Sequence, residues 1–424
     1  AKAIIFLEPY DRLLAEAAIY KRELKGRNLT DEEIEKALDA FKKEQKLEYK
    51  KAIASARRTS WREFVSSDGS IKKTALLNKI VNQQQTSKMG IMKRKDGTHA
   101  VSPEESTGLL LDEHFPGCLD EAMAPPPQIR CSTWQTQLSA GWITPDKVRM
   151  AIKMFGSAKA AGPDGFQPII LKHLPESSIA TLTELYKASI ALEYIPLLWR
   201  SSDVIFIPKT GKEDYSAVRS WRPISLMPFL FKTLERLVLW HLQETSLKDY
   251  SLNPNQFAFQ AGKSTEQALI NVVDHIEHFI LNNQHAVAVA LDIEGAFDNL
   301  DPQAVITSLQ VRGTNPTVTG WIRNFLLNRK ISVQLNGVHM ARKLVRGTPQ
   351  GGVLSPLLWN IAFDDLLDKF PRSHPIRAFG FADDVILIGG GIDVPTIINN
   401  LQPALHAAAD WGRENQLKFS PAKS

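Results

Sequence analysis

Apolar positions recur at helical spacing in several stretches of the chain. After the capping box formed by Thr30, Asp31, Glu32 and Glu33, the residues Ile34, Leu38 and Phe41 predict a long, charged helix running towards Ala54 with a thin apolar stripe. Thr144-Pro145-Asp146 is an N-cap with Pro at the first helical position; Val148, Ala151, Ile152 and Phe155 share one face, and Gly156 stops the helix. Further helices are predicted at Ser178–Ile195 and around Leu230, Leu234, Leu237 and Val238. Ser264 and Gln267 cap another, whose core stripe is read as Leu269, Val273, Ile276 and Ile280.

Between these lie β-branched runs. Asp203–Pro208 and Ala286–Asp292 read as strands, the second emerging from a buried sheet. Lys330–Leu335 and Val338–Val345 form a hairpin turned by Asn336-Gly337, and Ile376–Phe381 with Val385–Ile388 form another turned by Asp383-Asp384. Asp96–Ser106 and the Pro125-Pro126-Pro127 segment read as loops. Helices and hairpins alternate without a parallel βαβ period, so the class is α+β.

Composition adds limits. The 424 residues carry 51 basic and 46 acidic side chains, a formal charge of +5, and 43% are hydrophobic, which excludes a disordered or fibrous chain. No apolar run reaches the roughly 18 residues needed to span a bilayer, so a soluble protein is expected. Two cysteines, Cys118 and Cys131, are too few for a disulfide framework or a four-cysteine zinc site, and they fit a reducing compartment. The chain starts at Ala1 without a signal segment and ends in mid-pattern, so it reads as a piece of something longer. Between Trp61 and Ala100 eight basic residues face three acidic ones, a bias suited to phosphate contact.

The candidate chemistry is carboxylate chemistry. A single strand-end Asp is more often a turn or cap residue. Asp383-Asp384 is different, because two adjacent anions between strongly apolar arms repel each other unless a cation compensates them. If Asp292 comes from the neighbouring strand, three carboxylates converge on two hard ions about 4 Å apart, an arrangement that activates a 3′-hydroxyl and stabilises leaving pyrophosphate.

These residues carry a resemblance. Phe381-Ala-Asp-Asp384 resembles the Asp-pair hairpin of reverse transcriptases, Leu291–Asp298 the motif supplying their first metal-binding Asp, and Gly347–Pro356 their Gln-Gly loop, in the family's order. Lys159–Gly165, Ile207–Lys209, Trp221–Ser225 and Gln256–Phe259 with Gly262 are similar to the finger motifs of non-LTR (LINE-type) retrotransposon enzymes. Trp411, Asn415, Leu417 and Lys423 resemble the following palm motif.

The resemblance implies a right-hand polymerase with helical fingers (144–283) and an antiparallel-sheet palm (284–424) with the thumb absent; the charged helix and the basic bias ahead of them read as a helical linker arm (1–60) and a basic extension (61–143). It implies catalytic, metal-binding roles for Asp292, Asp383 and Asp384 and a pyrophosphate-protonating role for Lys423. It places Lys209 and Arg222 on the incoming triphosphate, makes Phe297 the aromatic that excludes a ribose 2′-hydroxyl, and sets Gln350 and Gly351 against the nucleotide. Two Mg²⁺ ions are the implied cofactor, with Mn²⁺ as an alternative; RNA template, DNA primer or target and dNTP are the partners, with no membrane. The implied activity is target-primed RNA-directed DNA synthesis in the nucleus, after ribonucleoprotein assembly in the cytoplasm. The rivals are a catalytically inactive RNA-binding scaffold and an intron-maturase-like protein.

Overall fold

The computed structural model describes residues 89–120, 140–370, 376–421 and 424, together with nine positions between Glu33 and Thr59. The chain divides into two units, Ala1–Lys88 and Met89–Ser424. In the first, the described positions, among them Glu33, Ala37, Phe41 and Glu44, are helical, as the capping box predicts. The Pro-rich segment 125–127, Cys131, Lys423 and most of the basic stretch lie outside the described residues.

The second unit mixes helices with two sheets. Its strands are β1 (Leu119–Asp120), β2 (Ser201–Pro208), β3 (Trp221–Leu226), β4 (His285–Asp292), β5 (Lys330–Leu335), β6 (Val338–Lys343), β7 (Ile376–Phe381) and β8 (Asp384–Gly391). The first sheet has the order β1-β6-β5-β2-β3 and the second β4-β8-β7. All pairs are antiparallel except β2 with β5, which run parallel across a long chain separation. Asn336 and Gly337 both take positive φ, the geometry of a tight hairpin turn, where the sequence puts one.

The labelled helices are α1 (Pro103–His114), α2 (Pro145–Lys153), α3 (Glu176–Ala191), α4 (Phe229–Glu244), α5 (Thr265–Leu281), α6 (Pro302–Val311), α7 (Pro316–Leu327), α8 (Ser355–Asp368) and α9 (Val394–Glu414). Ser102 caps α1 by accepting the Glu105 N–H, so the helix begins inside the segment read as a loop. Helix α3 stops at Ala191, short of the predicted Ile195, because Glu193 takes φ +49° and Pro196 follows. Phe231, Trp321, Phe325, Trp359 and Phe363 from α4, α7 and α8 fill one core, with Phe231 5.7 Å from Trp321. A buried pair, Arg312 Nη2 to Asp364 Oδ2 at 2.5 Å, ties the end of α6 to α8, and Asp364 also accepts the Asn253 N–H.

Helices α5 and α9 both pack on the second sheet. Gly390 makes room for α5, since a Cβ there would lie 2.0 Å from the Phe279 ring. Two expectations fail here. Of the predicted core stripe of α5, Leu269, Val273 and Ile280 face outward, at 59%, 48% and 60% exposed, and Ile276 alone packs on the sheet. The helix meets the sheet through Ala268, Val272, Ile276 and Phe279, a stripe rotated from the one expected. Strand β4 is also half-exposed rather than buried, because it is an edge strand.

Candidate active site

Asp292 and Asp384 are register partners across the antiparallel β4–β8 pair, so their side chains start from adjacent points on one face of the sheet. Phe381 pairs with Asp384, which leaves Ala382 and Asp383 as the two turn residues. The turn is therefore centred one residue earlier than the sequence suggests. Ala382 adopts φ +57° to close it, and Asp384 opens β8. The three predicted acids thus share one end of one sheet. Among the described residues, no three His, Cys, Asp or Glu side chains already form a gathered metal-binding group. The donor set is nevertheless all carboxylate oxygen, the chemistry a hard divalent cation takes. Two carboxylates directly opposite each other repel, and a bound cation would offset that repulsion.

Two neighbours hold this end of the sheet. Trp359 on α8 donates its indole N–H to the Ala382 carbonyl at 2.9 Å, bracing the turn. Segment 418–420 runs beside the other strand: Ser420 N–H donates to Asp292 O and Glu294 N–H to Lys418 O, both at 2.8 Å. Of the predicted palm motif, Trp411 and Leu417 are buried in the core, and Asn415 caps α9 with its amide on the Trp411 carbonyl.

Phe297 follows in the short helical turn Ala296–Asn299, packed edge-on to Phe259 at 6.1 Å and stacked on Trp359 at 6.0 Å. Its carbonyl accepts the Thr348 N–H, which brings the Gly-rich loop beside it. Gln350 then passes its carbonyl to the Ser225 N–H at 2.8 Å. Gly351, at φ +121°, lies so close to β3 that a Cβ would sit 2.8 Å from the Ser225 carbonyl, so a side chain is excluded there. The Gln350 Oε1, Thr348 Oγ1 and Ser355 Oγ atoms are buried and lack a hydrogen-bond partner among the described residues.

On the first sheet, Arg222 pairs with Ile207 across β2–β3 and is exposed between buried Trp221 and Pro223. Lys209 follows β2, with its N–H on the Ser220 carbonyl. The Lys209 charge reaches Asp298, linking this strand end to the turn that carries Phe297.

Sequence reasoning missed four supporting residues. Burial pushes Asp298 up to about 7, against the pull of Arg329 and Lys209. Arg329 is 4% exposed and pushed down to about 10 by the same burial; it donates to the Arg346 and Gly347 carbonyls at 2.7 and 2.6 Å. Glu235, on α4, is 0% exposed and accepts the Val353 and Leu354 N–H groups. Trp359 is the fourth. One signal was present for Glu235: an acid set among Phe231, Leu234 and Val238 interrupts a buried face.

The reverse transcriptase (RNA-dependent DNA polymerase) family matches residues 207–424. A probable RNA-directed DNA polymerase from transposon BS of Drosophila melanogaster is 29% identical over 284 residues, 66% of this chain and 31% of that protein. A retrovirus-related Pol polyprotein from the type-1 retrotransposable element R1 of Bradysia coprophila is 25% identical over 391 residues, 91% of this chain and 38% of that one. The RNA-directed DNA polymerase from mobile element jockey of Drosophila melanogaster is 27% identical over 297 residues, 69% of this chain and 32% of its own length. The chain spans about a third of the length of these curated relatives. Because the matched segment fills more than half of the chain and contains both sheet ends just described, the chain belongs to the reverse transcriptase (RNA-dependent DNA polymerase) family, on its non-LTR retrotransposon side.

Proposed function

We propose that this chain is the polymerase segment of a non-LTR retrotransposon protein, adding deoxynucleotides to a primer 3′ end on an RNA template. The observation that carries the reading is the cross-strand pairing of Asp292 with Asp384, with Asp383 in the adjoining turn. The second sheet is the palm of a right-hand polymerase, and the β2–β3 ribbon with its neighbouring helices forms the fingers.

In this reading Asp292, Asp383 and Asp384 would hold two Mg²⁺ ions, with Mn²⁺ as an alternative. The bound metal supplies Lewis acidity at the attacking hydroxyl and the departing pyrophosphate. Arg222 and Lys209 bind triphosphate oxygens, the Arg as a fork and the Lys as a point charge. Phe297, stacked on Trp359, is the aromatic that would exclude a 2′-hydroxyl and so select deoxyribose. Gln350 supplies a buried amide oxygen beside β3, and Gly351 lets the backbone approach the nucleotide closely. Lys423 is the proton donor to pyrophosphate. The reaction is target-primed on nuclear DNA after ribonucleoprotein assembly in the cytoplasm, and RNA contact is largely electrostatic and weakened by salt. Among the described residues, no helix is long and apolar enough to cross a membrane.

The test is primer extension with an RNA template, a DNA primer, labelled dNTP and Mg²⁺, comparing the chain with Asp383→Asn. Incorporation by the chain and none by the variant is expected. Equal incorporation would sink the reading, and RNA binding without incorporation would favour the scaffold.

A further inference from the structure

The Gly-rich loop is gripped from two sides. On one side the Ser225 N–H of β3 holds the Gln350 carbonyl. On the other, Glu235 reaches across from α4: Oε2 accepts the Val353 N–H at 3.2 Å and Oε1 the Leu354 N–H at 3.3 Å. Leu354 is the N-cap position of α8, so Glu235, from a distant element, takes the amide that opens the helix and the one before it and sets a negative charge at the helix N-terminus. The fit is close, since a Cβ on Gly352 would lie 2.9 Å from Glu235 Oε1.

Helix capping alone is a weak account of this arrangement. A Ser or Asp at the N-cap would cap the helix locally through an amide inside its first turn, without the several kcal/mol that burial of a carboxylate costs, whereas Glu235 takes the N-cap amide and the one before it. A fully buried acid brings something more, a fixed distance between α4 and the loop. The same loop keeps the Gln350 Oε1 and Thr348 Oγ1 atoms buried and unpaired among the described residues, which suits groups held ready for a ligand.

We propose that Glu235 is a positioning residue for the nucleotide: by clamping the Val353 and Leu354 amides it holds Gln350 against β3 at a fixed reach from Arg222, and it governs nucleotide affinity rather than the chemical step. The proposal rests on the polymerase reading above.

The clamp is pH-sensitive. Burial pushes Glu235 up to about 7, against the two amide hydrogen bonds and the charge of Lys232; the charges of Arg236 on the same helix and of Arg329, just before β5, also act on it. Protonation converts one acceptor into a donor, so acidification through about pH 7 weakens the hold on the loop.

Steady-state primer extension by the full 424-residue chain, on RNA template and DNA primer with Mg²⁺, would give KM for dNTP and kcat from pH 6 to 8.5. Glu235→Gln is expected to raise KM about tenfold at pH 8 and to leave kcat within about twofold, the scale of one lost charge-assisted hydrogen bond. The unsubstituted chain's KM is expected to climb severalfold as pH falls from 8 to 6, while that of E235Q stays flat. Equal KM values at pH 8, including the case in which kcat alone falls in step with the folded fraction on thermal melting, would overturn the proposal alone. If E235Q does not fold, the KM–pH profile of the unsubstituted chain decides, and a flat profile overturns the proposal. No incorporation by the unsubstituted chain would overturn the polymerase reading and the proposal with it.

Discussion

Trp359 serves two parts of the site with one ring. Its face supports Phe297, and its N–H holds the turn that carries Asp383. Trp359→Phe keeps an aromatic face and deletes the donor, leaving the Ala382 carbonyl without this partner. The expected loss is about 1 kcal/mol in urea unfolding, with slower dNTP incorporation; an unchanged unfolding midpoint would show that the bond contributes nothing. Asp298 yields a pH prediction. Its folded-state pKa, about 7, lies above its ordinary 3.8, so between these values the folded chain binds a proton that the unfolded chain does not. Stability from this group is therefore greatest below about pH 4 and is lost as pH rises to about 7. Relative to Asp298→Asn, the unsubstituted chain should lose stability across that window, by at most roughly 4 kcal/mol and by less in practice because the side chain keeps some solvent contact. Urea unfolding of both proteins at pH 4.5 and 7.5 checks the slope, and a stability difference independent of pH would refute it.

At the scale of elements, the β7–β8 hairpin shows what the sequence could and could not reveal. Its apolar arms were legible because alternating and continuous apolar runs mark strands directly. Its turn was displaced by one residue, since the Asp pair looks like turn chemistry, while the left-handed position falls on Ala382. An L-residue pays about 1 kcal/mol or more for that conformation. Ala382→Gly should raise the melting temperature of the compact unit slightly, and a fall would mean that the Ala methyl packs usefully. Strand β3 was read only as a motif because Pro223 sits inside it. Pro is tolerated there because β3 is the last strand of its sheet. The parallel β2–β5 pairing and the outward face of α5 were illegible for a different reason: each depends on which distant element arrives as neighbour, and periodicity carries no such information.

For the whole molecule the decisive quantity is the charge at one end of the second sheet. The three acids lie close along the backbone: Asp292 and Asp384 are cross-strand partners, and Asp383 precedes Asp384 in the turn. The order of these motifs along the chain is legible in the sequence and the resemblance implies their meeting, but no local pattern does: Asp383 lies 91 positions after Asp292, and strand register closes that distance. In the absence of a divalent cation their mutual repulsion opposes the β4–β8 pairing, so a cation that binds the folded state and not the unfolded one must raise the unfolding temperature. At a hundredfold excess over its dissociation constant, one such ion would add about 2.7 kcal/mol. Mg²⁺ titrated into EDTA-treated protein should therefore raise the melting temperature in a saturable way, at constant ionic strength maintained with KCl. Asp384→Asn relieves the repulsion and removes a ligand together, so the metal-free variant should melt above the metal-free unsubstituted chain and respond much less to Mg²⁺. If both proteins show the same Mg²⁺ response, the ion is acting on general surface charge, and the three carboxylates do not form a metal site.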